Sequence, residues 1–236
     1  MSKKVTKTTN KVGQKEKSIW DKNQQGVRID LGCGEQKSRG FIGVDFREAP
    51  GVDVVQDLTK FPWTAIPDEV AFMVVASHVL EHINPDSPSP QLKGLINLLL
   101  KKKTITKAEI EEFVGEYDYL GGFVRFMDEV WRILKPEGQF AFVVPYGGNH
   151  SYFQDPTHVN PINEITLAYF DPLARNAYGQ LHNAYTIYRP LPWKIVSCSY
   201  AVNGILEVLL EKRAIDKSYH TASAHGMDMN NSVKEN

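Results

Sequence analysis

Residues 27–46, "VRIDLGCGEQKSRGFIGVDF", decide how this chain is read. Val27–Leu31 is a short β-favouring run that ends at Gly32, Cys33 and Gly34. A second such run, 41–45, closes on the carboxylate of Asp45. The residues between the two runs are too few for a full crossover helix. Either this is a hairpin with glycines in its turn, or it is a glycine loop at the end of one parallel strand.

The surrounding pattern favours the second reading. Residues 52–56 form another short run, and "VAFMVVAS", 70–77, is almost wholly apolar, as a strand covered on both faces should be. "QFAFVVPY", 139–146, is a further strand, and the turn "KPEG", 135–138, stops the helix before it. Between these last two strands lie helical stripes. Leu92, Leu95, Ile96 and Leu99 make one, and Ile110, Phe113, Val114 and Tyr117 a second, behind a capping box at Thr106 and Glu109. Phe123, Phe126, Met127, Val130, Trp131 and Leu134 make the longest. All are read as core-facing. Near the end, "WKIVSCSYAV" and "ILEVLLEKRA" are two strands joined at Asn203–Gly204, a tight-hairpin signal. The expected fold class is α/β: a three-layer, Rossmann-like, mostly parallel sheet with an antiparallel C-terminal strand.

The chain has 236 residues, 42% hydrophobic and 23% charged, with a formal net charge of -1. These values suit one sizeable globular domain and argue against a generally basic, nucleic-acid-coating surface. The two cysteines, Cys33 and Cys198, suggest no disulfide framework. No apolar run approaches the roughly 18 residues that span a bilayer. A cytoplasmic protein without a membrane partner is expected. Residues 1–24 are read as a flexible basic arm, 25–215 as the domain, and 216–236 as a flexible tail. Within the domain, 85–119 is a helical insertion suited to serve as a lid or acceptor-recognition element.

In a doubly wound sheet a ligand lies beyond the carboxyl ends of the strands. Gly32 and Gly34 stand at such an end, where a ligand can approach the chain without a Cβ in the way. Asp45 is placed to accept two hydrogen bonds from ribose hydroxyls, and Asp57 to meet an adenine amino group. Asp30 either holds the loop or faces a charged ligand.

Taken in order, "IDLGCGEQ", "GVDF", "QDLTKFPW", "VVASHVLEHI" and "FMDEVWRILKPEGQFAFVVPY" resemble the class I S-adenosylmethionine-dependent methyltransferases. The likeness is to small domains with "LEH" after the fourth strand and "LKPGG" before the fifth. It covers roughly residues 27–146, and the C-terminal hairpin fits the reversed last strand of that fold. The resemblance implies S-adenosyl-L-methionine as cofactor. Asp30, Gly32 and Gly34 would cradle its methionine moiety, with Cys33 a small residue of the same cofactor loop. Asp45 would bind the ribose, and Asp57 with Leu58 the adenine. Ser77 and His78 would border the sulfonium and the acceptor.

The third loop glycine of a dinucleotide fingerprint is absent. Asp30 and Asp45 lie 15 positions apart, against about 20 for that fingerprint. Both departures weaken a nicotinamide-dependent oxidoreductase more than a methyl-donor site, because S-adenosylmethionine carries no phosphate and so does not need the full helix N-terminus that a pyrophosphate does.

Candidates for an acceptor base fall in "PYGGNHSYFQDPTHVNPI", 145–162, after the fifth strand: His158, His150 and Asp155. His158 and Asp155 can equally hydrogen-bond within a proline-rich loop. His78 and His82, four apart, have metal-ligand spacing but no third ligand in the sequence, so no metal is expected. The chain lacks the Asn/Asp-Pro-Pro-aromatic tetrad and the Pro-Cys nucleophile of DNA methyltransferases. A small-molecule or saccharide acceptor, methylated on oxygen or nitrogen, is therefore preferred to nucleic acid. The alternative is a catalytically silent methyltransferase-like binding or scaffold subunit. The sequence carries no signature of oligomeric state.

Overall fold

A computed structural model describes residues 18–21, 26–83, 101, 106, 121–181, 191–201 and 203–219. β1 (Val27–Leu31), β2 (Ile42–Asp45), β3 (Val54–Val55) and β4 (Ala71–Ser77) come first. They are followed by α1 (Gly122–Ile133), β5 (Leu134–Pro145), α2 (His150–Phe153), α3 (Glu164–Ala168), β6 (Trp193–Tyr200) and β7 (Ile205–Lys212). The strands form one sheet in the order β3-β2-β1-β4-β5-β7-β6. β1 to β5 pair in parallel, while β7 is antiparallel to both β5 and β6. The hairpin reading of 27–46 is thereby excluded. The two runs lie side by side and parallel, in register from Ile29 with Ile42 to Leu31 with Val44.

The crossover between them contains no helix, only turns. Its shape is imposed by carboxylates. Asp30 accepts the Ser38 amide at 2.7 Å, and Asp53 accepts the Gly43 amide at 2.8 Å while pairing with Lys37. These bonds do for a ten-residue connection (32–41) what a packed helix does for a longer one.

The core follows from the apolar periods. β5 alternates, burying Phe140, Phe142 and Val144, and α1 buries Phe126, Met127, Val130 and Ile133. Each such side chain contributes about 1.5–3 kcal/mol by leaving water. Trp63 is fully buried edge-on to Phe126. Its backbone is clamped to α1, since Glu129 accepts the Trp63 amide at 2.7 Å and Arg132 donates to the Trp63 carbonyl at 3.1 Å.

Three expectations about elements are revised. β3 is only two residues, Val54–Val55, although the amides of Asp53 and Gln56 on either side also donate to β2, at the Gly43 and Asp45 carbonyls. β5 begins at Leu134, before the "KPEG" turn. Leu134 pairs with Ala71, the turn bulges out with Glu137 at φ 61°, and the ladder resumes at Gln139 opposite Met73. Leu134 thus belongs to the strand and not to the helical stripe. The C-terminal hairpin forms where expected, with Gly204 at φ 86° in its turn. The helices expected over 92–99 and 106–117, and with them the lid assigned to 85–119, lie outside the described residues. So do nearly all of the N-terminal arm and the tail beyond 219.

Candidate functional site

The chain leaves β1 toward β2 on one side and enters β4 and β5 on the other, so β1 and β4 flank the topological switch point. Gly32 follows β1 there with φ 67°, and a Cβ on it would stand 2.4 Å from Val79 Cγ2. Only glycine fits. Its amide and that of Cys33 both donate to the Val44 carbonyl, at 2.8 and 3.2 Å. Gly34, at φ 55°, has open space where a side chain would be.

Asp45 closes the loop from the far side. It is 7% exposed, and its Oδ2 accepts the Gly34 amide at 2.9 Å. Its Oδ1 is buried and has no partner among the described residues. A buried carboxylate oxygen left unpaired costs roughly 1–3 kcal/mol or more, so such an atom points to a missing hydrogen-bond donor. One oxygen of Asp45 thus shapes the loop, and the other is without a partner among the described residues.

The remaining expected cofactor residues divide. Asp30 is buried with its Oδ2 on Ser38, which is the loop-holding role. The Cys33 thiol lies 3.5 Å from the Gly51 carbonyl, and burial, then Asp30 and Asp45, push it up to about 11, so it is a neutral packing group. Asp57 uses Oδ1 on the Thr59 amide and hydroxyl (3.0 and 2.7 Å) and Oδ2 on Lys60 (2.9 Å). Burial alone would raise its carboxyl, but the Thr59 and Lys60 bonds outweigh it and hold it below the usual range. The Leu58 side chain is in the core. Neither carboxylate oxygen of Asp57 is idle, unlike Oδ1 of Asp45. A cleft of about 820 Å³ has Asp30, Gly32, Cys33 and Ser77 among its lining, but not Asp45. Phe46, next to Asp45, was not singled out by sequence and is 66% exposed.

Across the switch point, His78 follows β4 with φ 55°, a left-handed conformation costly for a non-glycine residue. Its amide donates to the Val143 carbonyl at 3.0 Å. Its Nδ1 sits 3.1 Å from Glu81 Oε1, and its side chain is 51% exposed. Glu81 lies in a short 3-10 turn, Leu80–His82, and is fully buried. Its role was not legible in the sequence, where it is simply the middle letter of "LEH".

The loop after β5 is tied onto that turn. Val159 and Asn160 donate their amides to the Glu81 carbonyl at 2.8 and 3.2 Å. The Asn160 side chain donates to the Leu80 and Ile83 carbonyls at 2.8 and 2.6 Å. These bonds place His158 against His82, ring centroids 4.8 Å apart, with Tyr152 on its other side at 5.4 Å. Burial, then the Glu81 charge, raises the Tyr152 hydroxyl. The fold therefore brings His158 and the Glu81 carboxylate beside His82, in a group that does not include His78. Of the three base candidates, His158 has a side chain only 8% exposed, with Nδ1 donating to the Tyr152 carbonyl at 2.7 Å. Asp155 is bonded to Thr157, whose hydroxyl and amide hold it below the usual carboxylate range. His150 opens α2 and is exposed.

No family model matches the chain, and no curated protein does. Solved structures of similar fold exist. An S-adenosylmethionine-dependent methyltransferase from Mesorhizobium loti is 13% identical, covering 78% of this chain and 90% of its own, with a TM-score of 0.36. One from Methanosarcina mazei is 15% identical, with 84% and 97% covered and a TM-score of 0.36. The [4+2]-cyclase SpnF is 12% identical, with 80% and 76% covered and a TM-score of 0.45. At these identities and scores the likeness does not extend to activity. Among the described residues no helix is long and apolar enough to cross a membrane.

Proposed function

We propose that the chain is an S-adenosylmethionine-dependent methyltransferase acting on a small-molecule or saccharide acceptor through oxygen or nitrogen. One observation carries this reading. Among the described residues, Asp45 has a buried, unpartnered Oδ1 at the carboxyl edge, next to a glycine with open space in front of it. That is an acceptor prepared for a ribose hydroxyl, in a loop with no helix N-terminus for a pyrophosphate.

When bound, the cofactor supplies a sulfonium methyl whose in-line transfer dissipates charge. The chain's share is alignment and exclusion of water. Asp45 would anchor the ribose, Gly32 and Gly34 would let the donor lie against backbone, and Phe46 is exposed where an adenine face could rest. His78 would accept a proton from an acceptor hydroxyl through Nε2, because Glu81 holds its Nδ1. The acceptor would approach over a pocket of about 480 Å³ bordered by Tyr146, Gly148, Glu164 and Tyr200. Its two tyrosines meet edge to face at 5.0 Å, an aromatic wall suited to a sugar or other small ring.

The test is a thermal-shift comparison of S-adenosylhomocysteine, NAD and no ligand on wild type and Asp45→Ala. Stabilisation by S-adenosylhomocysteine alone, lost in the variant, is expected. Identical melting in all three conditions would overturn the reading in favour of a silent binding subunit, and a shift with NAD in favour of an oxidoreductase.

A further inference from the structure

We infer that Glu81, His82 and His158 form a binding site for a first-row transition-metal dication of the zinc class. One ligand atom from each lies within 4.8 Å of the others. Two imidazoles and one carboxylate are a donor set that zinc and its neighbours favour over magnesium or calcium. Tetrahedral ligands about 2.0–2.1 Å from zinc stand about 3.3–3.4 Å apart, so the three close by an ångström or so on binding.

Two further observations point to a ligand. Glu81 is 0% exposed, and its Oε2 has no partner among the described residues. Its Oε1 is engaged by His78, so the idle oxygen is the one free to coordinate. A fully buried carboxylate with one bare oxygen is costly unless something positive completes it. The second observation is the state of the two imidazoles. The His158 Nδ1 hydrogen donates to the Tyr152 carbonyl at 2.7 Å. The Thr157 hydroxyl donates to Asp155 at 2.6 Å, so it can accept only from His82 Nδ1, 3.0 Å away. Both rings therefore carry a proton on Nδ1, so in the neutral imidazoles Nε2 is the nitrogen that offers a lone pair to a metal; on His158 that nitrogen lies 3.9 Å from Asp155 Oδ2. Metal-binding histidines are oriented in this way, by a carbonyl or a carboxylate relay behind the ring. The backbone bonds from Val159 and Asn160 to the Glu81 turn hold the set together before any metal arrives.

Three protein ligands leave at least one coordination position for water or an incoming oxygen. The site stands on these side chains and not on the methyl-transfer reading, so it can exist whether or not that reading holds.

The experiment is titration of the EDTA-stripped, untagged full chain with Zn(II) by calorimetry and with Co(II) by visible absorption. One equivalent is expected to bind, with ligand-field bands of nitrogen and oxygen coordination. Glu81→Gln, His82→Ala and His158→Ala should each weaken binding by about a hundredfold or more, and Thr157→Val, behind His82, by about tenfold. Removing the two tail histidines together, His220→Ala with His225→Ala, should leave binding unchanged. Circular dichroism checks that each variant is folded, and the near-isosteric Glu81→Gln remains informative if an alanine variant is not. Absence of stoichiometric uptake by the wild type would overturn the site. So would undiminished binding in folded Glu81→Gln, or loss of binding only with the tail histidines.

Discussion

The two halves of the carboxyl edge are built differently. On the β1–β2 side, Asp30, Gly32, Gly34, Ser38 and Asp45 make a loop whose main bonds link residues no more than 12 positions apart. On the β4–β5 side, Leu80–His82 is completed by a loop from beyond β5, with His82 and Thr157 75 positions apart. The first half is short-range and backbone-led. The second depends on side chains meeting after the sheet has closed. Perturbing the first should therefore weaken nucleoside binding, whereas perturbing the second should cost stability and leave nucleoside binding intact.

The largest effect is expected at Gly32. Gly32→Ala combines a left-handed φ with a Cβ 2.4 Å from Val79 Cγ2, which should cost about 2–4 kcal/mol in urea unfolding. Adding Val79→Ala should recover the steric share and leave the backbone share; full recovery would show that φ does not matter there.

Asn160→Ala comes next. Loss of its bonds to the Leu80 and Ile83 carbonyls should cost about 1–3 kcal/mol, while the shift given by S-adenosylhomocysteine survives. A lost shift would show that the two halves are one unit.

Cys33 sharpens the comparison chemically. With its pKa at about 11 against an ordinary 9.0, its thiolate fraction at pH 8 falls by about a hundredfold, and iodoacetamide should label it correspondingly slowly in the folded chain. Rapid labelling would mean that the loop opens.

The smallest effect is at Asp155. Its folded-state pKa is depressed by Thr157, so its contribution to stability is present above the unfolded carboxylate value and is lost as pH falls through the folded one. Thr157→Val should move its carboxyl titration, followed by NMR, upward toward the ordinary value. An unmoved titration would remove the hydroxyl as the cause.

What could be read in advance tracks this division. "VRIDLGCG" and "GVDF" carry strand propensity, glycine and a terminal carboxylate within one window, and β1 emerged with the expected bounds. The "KPEG" turn was seen, but not that the strand begins before it, because Leu134 joins the ladder through its pairing with Ala71. Asp45 was singled out, yet that one oxygen is spent on Gly34 and the other left bare is a matter of angles.

By itself the sequence determined the parallel sheet, its glycine loop and the acidic residue facing it. Those follow from local preference and from the alternation of apolar residues, which act between near neighbours. Only the tertiary structure decided that His158 should meet His82 and Glu81, and that Asn160 should hold them there. Such a meeting depends on how two distant loops lie once the strands between them have been ordered, and no spacing along the chain encodes that distance.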